Sequence, residues 1–129
     1  ELFETAQRYG VSLAFEASVG GGIPILRSLR EGLCANHFYS IHGILNGTAN
    51  YILTQMSEGG VDFEEALAEA QRKGYAEADP SFDVDGIDTA HKIAILCSMA
   101  YGVRVPFEAV SVRGIRAIRQ IDVHHAREL

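Results

Sequence analysis

Residues 74–92 of the chain have the sequence GYAEADPSFDVDGIDTAHK. This stretch places four carboxylates within its first twelve residues and a fifth, Asp88, four positions before Lys92. The apolar residues that follow predict a helix over Gly86–Tyr101, on which Asp88 and Lys92 are i, i+4 neighbours on one face. The preceding residues, Tyr75–Asp85, contain a proline, several acids and no apolar period, and they are predicted to form a loop.

The pair of Asp88 and Lys92 has two interpretations. Ile95 and Met99 continue the face that carries Lys92, so its ammonium is expected to lie against apolar surface and beside carboxylates. The apolar surface disfavours the charged form of the lysine, and the carboxylates favour it. Together they can hold a lysine ready for proton transfer. In the other interpretation Asp85 caps an ordinary helix and Lys92 forms an exposed ion pair of little consequence, because such pairs are common and weak.

The acidic loop also has a simple interpretation, as a solvated surface loop or a loose cation site. It lacks the ladder of alternating acids, with a glycine and a final glutamate, that a calcium-binding loop requires. On spacing alone, therefore, the acids do not identify a ligand.

The longer pattern A-x-x-x-G-Y-A-E-x-D-P-x-x-D-V-x-G-x-D-x-x-x-K, from Ala70 to Lys92, resembles the signature of the homoserine dehydrogenase family. Two further stretches resemble that family in the same order, FEASVGGGIP at Phe15–Pro24 and GILNGTANYIL at Gly43–Leu53. The similarity runs from about Leu2 to Gly102 and weakens after that. Members of the family interconvert L-homoserine and L-aspartate 4-semialdehyde with NAD(P), on the route to threonine, methionine and isoleucine.

The resemblance implies roles for four residues of the acidic stretch and its helix. Lys92 matches the lysine proposed to donate and accept the proton at the reacting oxygen. Asp88 would hold the amino group or hydroxyl of the substrate and orient Lys92. Glu77 would accept from the substrate ammonium, and Asp83 would support Lys92 through water. Acids suit a substrate that carries a positive amino group.

Three further residues match positions that line the family's binding sites. Gly74 corresponds to a position against the cofactor, where the lack of a side chain lets the nicotinamide end approach. Gly47 and Thr48, at the start of a helix, could offer backbone N–H groups and a hydroxyl to the substrate carboxylate. A plain N-cap explains them equally well.

The glycine-rich turn of residues 16–24 has neither of the phosphate-binding glycine patterns, so we do not expect the dinucleotide to bind there. The resemblance implies instead a monovalent cation, usually sodium, bound by the backbone carbonyls of Glu16, Val19, Gly21 and Ile23. Carbonyl oxygens suit a hard cation. A tight structural turn is an equally good account of the same residues.

The rest of the chain predicts a mixture of helices and a few strands. Strands are predicted at Val11–Ala17, at His37–Leu45 and at Ala109–Arg113. The helices predicted elsewhere cover residues 1–9, Ile25–Glu31, Phe63–Lys73 and 86–101. A further helix follows residues 46–47, with Thr48 as a possible cap and Gly59-Gly60 as its stop, and a helix or loop is expected after Ile115. The expected fold class is therefore α+β (α/β), an open mostly antiparallel or mixed sheet covered by helices, as in the catalytic domain of a two-domain dehydrogenase.

Composition limits the classes of partner. The chain has 129 residues, enough for one domain over residues 1–129, and its formal net charge of −6 argues against nucleic acid. No apolar run is long enough for a membrane span. We expect a cytoplasmic protein that pairs as a homodimer, with NADP or NAD as cofactor. The N-terminal Rossmann domain that the resemblance implies is absent from these residues, so the chain alone is expected to be inactive.

Two other functions remain open at the level of sequence. One is a non-enzymatic amino-acid-binding or dimerisation module that retains the fold; a Lys92 buried in a salt bridge with no adjoining cavity would favour it. The other is a dehydrogenase that acts on a different aldehyde. The combination of Glu77 and Asp88 argues against that alternative, because it selects an amino-acid substrate.

Overall fold

The structure is a computed structural model that describes residues 2–128. Its helices, in chain order, are α1 (Leu2–Tyr9), α2 (Ile25–Arg27), α3 (Gly47–Thr54), α4 (Phe63–Arg72), α5 (Ser81–Val84), α6 (Ile87–Tyr101) and α7 (Gln120–Glu128). One turn of π-helix extends α2 over Ser28–Gly32 and another extends α3 over Gln55–Gly59, and Phe107–Ala109 form a 3₁₀ turn.

Most helix ends follow from glycine. The predicted helices α1, α4 and α6 are confirmed to within a residue or two, and each ends just before a glycine with positive φ: Gly10, Gly74 and Gly102. Glycine adopts this left-handed conformation without the steric cost of a Cβ, so it stops a helix sharply. The loop predicted before α6 differs, because Ser81–Val84 forms one helical turn within it.

The predicted strands are wrong for this chain, because no β-strand occurs within residues 2–128. Residues 11–16 and 37–45 carry no helix and no ladder of backbone hydrogen bonds, and residues 110–113 follow the 3₁₀ turn as irregular chain. An apolar, β-rich segment becomes a strand only when a second segment supplies the partner for its N–H and C=O groups. Parts of these segments remain open, since Tyr39 is 98% and Ile44 is 80% exposed.

Two apolar clusters organise the helices. The first joins α3, α4 and α5 through eight buried residues: Ile52, Met56, Phe63, Ala66, Leu67, Ala70, Ala76 and Val84. The second joins α2 to α6 through Val19, Leu26, Leu29 and Leu96. Side chains from the extended residues 37–45 pack against this second cluster. The N-terminus of α3 and the middle of α6 therefore face each other between two packed regions.

The helices also bear on membrane insertion. None of those described within residues 2–128 combines the length and the apolar character that a membrane crossing requires.

Replacing Ile52 by alanine tests the first cluster. Ile52 is fully buried, so Ile52→Ala should lower the free energy of unfolding by about 2–5 kcal/mol through lost burial and a residual cavity. Urea denaturation followed by far-UV circular dichroism measures the change. The matched variant is Ile121→Ala on α7, where the side chain is 46% exposed. Equal losses in the two variants would contradict the assignment of this cluster as the core.

Candidate active site

A cavity of about 640 Å³ lies where the N-terminus of α3 faces α6. Its lining residues come from α3, the end of α4, α5 and α6: Asn46, Gly47, Thr48, Tyr51, Gly74, Tyr75, Asp83, Asp88 and Lys92. Six of the residues predicted from the sequence line this cavity together. Its size is in the range of small-molecule sites.

Lys92 and Asp88 form the charged wall of the cavity. The Lys92 ammonium donates to Asp88 Oδ2 at 2.6 Å, across one turn of α6, and to the Leu45 carbonyl oxygen at 2.9 Å. The two side chains are only 24% and 20% exposed, so solvent screens their attraction less than it screens a surface pair. An ammonium has three N–H donors, and two are held by the protein. One N–H therefore remains for a molecule in the cavity.

Asn46 joins the two acids of the site. Its side-chain Nδ2 donates to Asp83 Oδ1 at 2.6 Å and to Asp88 Oδ2 at 2.9 Å. Its Oδ1 accepts from the backbone N–H of Ala49 at 2.8 Å. The cap fixes the orientation of the amide, because the reversed amide would place oxygen against two carboxylates and N–H against N–H. Asn46 is thus both the N-cap of α3 and a bridge between Asp83 and Asp88.

Thr48 was one candidate for the cap of this helix, and that prediction is wrong. The helix begins at Gly47, and Asn46 occupies the cap position with an extended backbone and a side chain that accepts from the helix. The Thr48 hydroxyl instead donates to the Tyr75 carbonyl oxygen at 2.8 Å. This bond ties the start of α3 to the loop after α4.

The turn between α5 and α6 brings the two carboxylates together. Asp83 lies in α5, and Asp88 lies in the first turn of α6. Gly86 lies between them with φ of +82°, a left-handed conformation that separates the end of α5 from the start of α6. Asp85, which one interpretation placed as the helix cap, makes no cap hydrogen bond; Gly86 holds that position.

The rim of the cavity is aromatic. The rings of Tyr51 and Tyr75 meet edge to face with centroids 4.9 Å apart. Lys73 donates to the Tyr51 hydroxyl at 3.0 Å and pairs with Glu69 at 2.7 Å. Hydrogen bonds to Glu69 and then to Tyr51 raise the pKa of Lys73, which keeps a positive charge near this rim. Gly74 follows directly, with open space where a Cβ would stand.

Glu77 does not line the cavity, although it follows the rim closely in sequence. Its side chain is exposed, and its backbone carbonyl accepts from the Gln71 amide at 3.0 Å. The acids of this region do not form a metal cluster either: within residues 2–128 no group of three or more His, Cys, Asp and Glu side chains is placed to hold an ion.

The four residues of the glycine-rich turn also lie outside the cavity lining. The Glu16 carboxylate accepts from the backbone N–H groups of Leu26 and Arg27 at 2.8 and 2.9 Å, so it caps α2. The backbone carbonyls of Glu16 and Ile23 accept backbone N–H groups within the turn. A carbonyl oxygen has two lone pairs, so these contacts leave room for a cation ligand.

Three residues of the lining were not predicted from the sequence: Asn46, Tyr51 and Tyr75. The Asn-Gly pair at 46–47 signalled a turn, and asparagine is among the best N-cap residues, so the cap was available from sequence. The contacts of Asn46 with the acids span 37 and 42 residues, and no local pattern signals them. Tyr75 lies inside the quoted motif.

Replacing Asn46 by aspartate tests the bridge between the acids. Asn46→Asp keeps the shape and the helix cap but removes both donors and places a third carboxylate beside two others. The free energy of unfolding should fall by about 1–3 kcal/mol near pH 7. It should recover partly towards about pH 5, because a proton on one carboxyl relieves the repulsion. Thermal unfolding across this range measures both effects, with Asn36→Asp as an exposed control. A pH-independent loss would contradict the bridge.

Comparison with known proteins gives a consistent result. The family model described as homoserine dehydrogenase matches residues 24–129. A homoserine dehydrogenase of Synechocystis sp. is 53% identical over the whole chain, and one of Pseudomonas aeruginosa is 50% identical over the same residues. The chain spans 30% of the length of each of these relatives.

Solved structures agree. A homoserine dehydrogenase from Thiobacillus denitrificans matches with a TM-score of 0.95 and 50% identity. The match covers 98% of this chain and 30% of the chain in that structure. A hyperthermophilic archaeal homoserine dehydrogenase mutant in complex with NADPH matches with a TM-score of 0.82 and 36% identity. That match covers 95% of this chain and 37% of the chain in that structure. The family match covers well over half of the residues, and the chain belongs to the homoserine dehydrogenase family.

Proposed function

We propose that this chain, over residues 1–129, is the substrate-binding and catalytic domain of an NAD(P)-dependent oxidoreductase that interconverts L-homoserine and L-aspartate 4-semialdehyde. The observation that carries the proposal is Lys92, whose ammonium is held at two of its three donors and lines a cavity of about 640 Å³. Family membership supports the reaction class, and the geometry of the cavity supports the residue roles proposed below.

Lys92 manages the proton of the reaction. Reduction of an aldehyde turns its oxygen into an alkoxide that must receive a proton, and oxidation of the alcohol must remove one. The donor that Lys92 keeps for the cavity can polarise the aldehyde oxygen and then protonate it. Asp88 fixes the direction of this donor, because it holds one of the other two N–H groups. The Leu45 carbonyl holds the second.

The acids account for recognition of an amino acid. Asp83 and Asp88 carry two negative charges against the single positive charge of Lys92, and the excess attracts the substrate ammonium. Their Oδ atoms accept from Asn46 but retain further lone pairs for a ligand. Asp83 also contributes to the field that acts on Lys92. Glu77, exposed on the loop that follows the rim, would contribute a further negative charge towards the same ammonium.

The substrate carboxylate meets the start of α3. Gly47 and Thr48 offer backbone N–H groups that the helix itself does not use, at the end where the helix dipole is positive. The Thr48 hydroxyl already donates to Tyr75, so its part is to hold the loop that carries Tyr75 against the helix. These contacts and the acids would orient the substrate between α3 and α6.

The cofactor would lie against Gly74. The open space at the position of a Cβ and the place of Gly74 on the cavity rim fit the close approach of a flat ring. The nicotinamide supplies the hydride of the reaction when it is bound. Its other binding residues are expected in a separate nucleotide-binding domain, and NADPH in the complex of the archaeal relative supports the same cofactor class here.

A sodium ion fits the turn of Glu16, Val19, Gly21 and Ile23. Left-handed φ angles at the intervening Gly20 and Gly22 turn the backbone tightly. Such a turn can direct several carbonyl oxygens to one hard cation. The ion would stabilise the turn before α2 and would take no part in proton transfer.

The remaining expectations concern assembly and place in the cell. A homodimer would give the extended segment of residues 37–45 a partner, since this segment has exposed apolar residues and unpaired backbone groups. The segment would then become part of an open, mixed sheet in the assembled enzyme. The proposed reaction fits an enzyme of threonine, methionine and isoleucine biosynthesis that works in the cytoplasm.

A non-enzymatic binding module explains the site less well. That function predicts a Lys92 closed inside a salt bridge with no adjoining cavity. Lys92 instead lines a cavity of about 640 Å³ together with Asp83 and Asp88. A site built only for binding has no need of a lysine positioned at two donors and left open at the third.

Replacing Lys92 tests the proton-transfer role in the full-length enzyme. Lys92→Ala should lower kcat by about 10²-fold or more, the usual loss when a general acid is removed. Lys92→Arg keeps the positive charge but not the proton exchange, since a guanidinium stays protonated, and should also be slow. Steady-state assays in both directions measure the effect. Near-full turnover by Lys92→Ala would contradict the role of Lys92.

Replacing Glu77 tests recognition of the substrate ammonium. Glu77→Gln removes one negative charge and should raise the KM for homoserine by about tenfold, with a smaller effect on kcat. The matched control is Glu58→Gln, an exposed glutamate that does not line the cavity. Similar KM values for the two variants would show that Glu77 makes no substrate contact.

A further inference from the structure

The turn that carries the two site acids is held from behind by the segment of residues 112–116. The N–H of Ile115 donates to the Val84 carbonyl oxygen at 2.8 Å, directly beside Asp83. Ile115 also packs against the first apolar cluster, in which Val84 is fully buried. This segment follows the long motif by some twenty residues and is part of no other described feature of the site.

The contact at this point is too close for a side chain. A Cβ on Gly114 would lie 2.7 Å from the Val84 carbonyl oxygen and 2.8 Å from Asp85 Cα, both backbone atoms that cannot move alone. A Cβ on Gly86 would lie 3.1 Å from the Arg113 carbonyl oxygen. Two glycines therefore let the segment and the turn meet backbone to backbone.

Arg116 adds an ion pair to this contact between the segment and the turn. Its Nε donates to Asp85 Oδ1 at 2.5 Å, and its Nη2 donates to Asp85 Oδ2 at 3.3 Å and to the Ser81 hydroxyl at 3.0 Å. Ser81 in turn donates from its hydroxyl and its backbone N–H to Asp79. Arg116 thus grips the first residue of α5 and the residue after its last, and Asp83 lies between them.

We propose that Arg116 is a positioning residue for the substrate site, and that with Gly114 it sets the separation of the Asp83 and Asp88 carboxylates. Both acids bind one amide of Asn46, so a shift of the turn carrying them changes two hydrogen bonds and the support of Lys92 at once. The inference rests on the proposed function, because it supposes that homoserine binds to the acids that this turn carries.

If Arg116 had a purely structural role, its loss would lower stability at least as much as it impairs catalysis. The side chains of Arg116 and Asp85 are 45% and 40% exposed, and exposed ion pairs add little to stability. In the positioning role, the loss of Arg116 should therefore change kcat/KM for homoserine more than it changes the free energy of unfolding. An effect on substrate that exceeds the effect on stability is what distinguishes positioning from general support.

The test compares variants of the full-length enzyme. Arg116→Ala should lower kcat/KM for homoserine about tenfold, with the KM for NADP changed less than about twofold. The matched control is Arg119→Ala, which removes another exposed ion-paired arginine three residues along the chain and should change neither constant. The two variants should have Tm values within about 2 °C of each other.

Two further variants keep the proposal open to contradiction. Arg116→Lys should recover part of the loss, since it retains one donor towards Asp85. Asp85→Ala combined with Arg116→Ala should be no worse than the more damaging single change, because both remove the same grip. Equal kcat/KM in Arg116→Ala and Arg119→Ala would overturn the proposal, and so would fully additive effects.

Failure of this inference is distinguishable from failure of the proposed function. If Lys92→Ala is inactive while Arg116→Ala behaves like its control, only the positioning role is wrong. If Lys92→Ala retains near-full turnover, the proton-transfer role itself is wrong, and a defect in Arg116→Ala would no longer report on this site.

Discussion

The side-chain amide of Asn46 is the constraint on which the site depends. It has three hydrogen-bonding positions in use, one on the α3 backbone and two on the carboxylates of Asp83 and Asp88. The residue is 7% exposed, so water cannot easily replace these partners. A helix cap thereby also bridges two like charges. Without this amide the acids would repel each other across the cavity.

The two apolar clusters explain why this amide meets those acids. The first cluster fixes α3 and α5, and the second fixes α6 against α2. The cavity forms at their junction, where polar groups can remain open to a ligand while each is held by a neighbour. Lys92 illustrates this arrangement, because its contacts reach both α6 and the residue before the α3 cap.

Sequence patterns predicted the parts of the site that depend on local spacing. The i, i+4 relation of Asp88 and Lys92 follows from helical periodicity alone, and the glycine-terminated helices follow from the left-handed conformation of glycine. The strands failed because a strand depends on a partner outside its own residues, and residues 37–45 have none within the described chain. Asn46 was missed as a bridge for the same reason: its partners lie 37 and 42 residues away.

The central claim is that homoserine occupies this cavity with its hydroxyl at Lys92. A crystal structure of the full-length enzyme with bound L-homoserine measures this directly. The account predicts the hydroxyl oxygen about 2.6–3.2 Å from Lys92 Nζ, the distance required for proton transfer, and the ammonium beside Asp83 or Asp88. A substrate bound elsewhere, with Lys92 contacting only Asp88 and the Leu45 carbonyl, would contradict it.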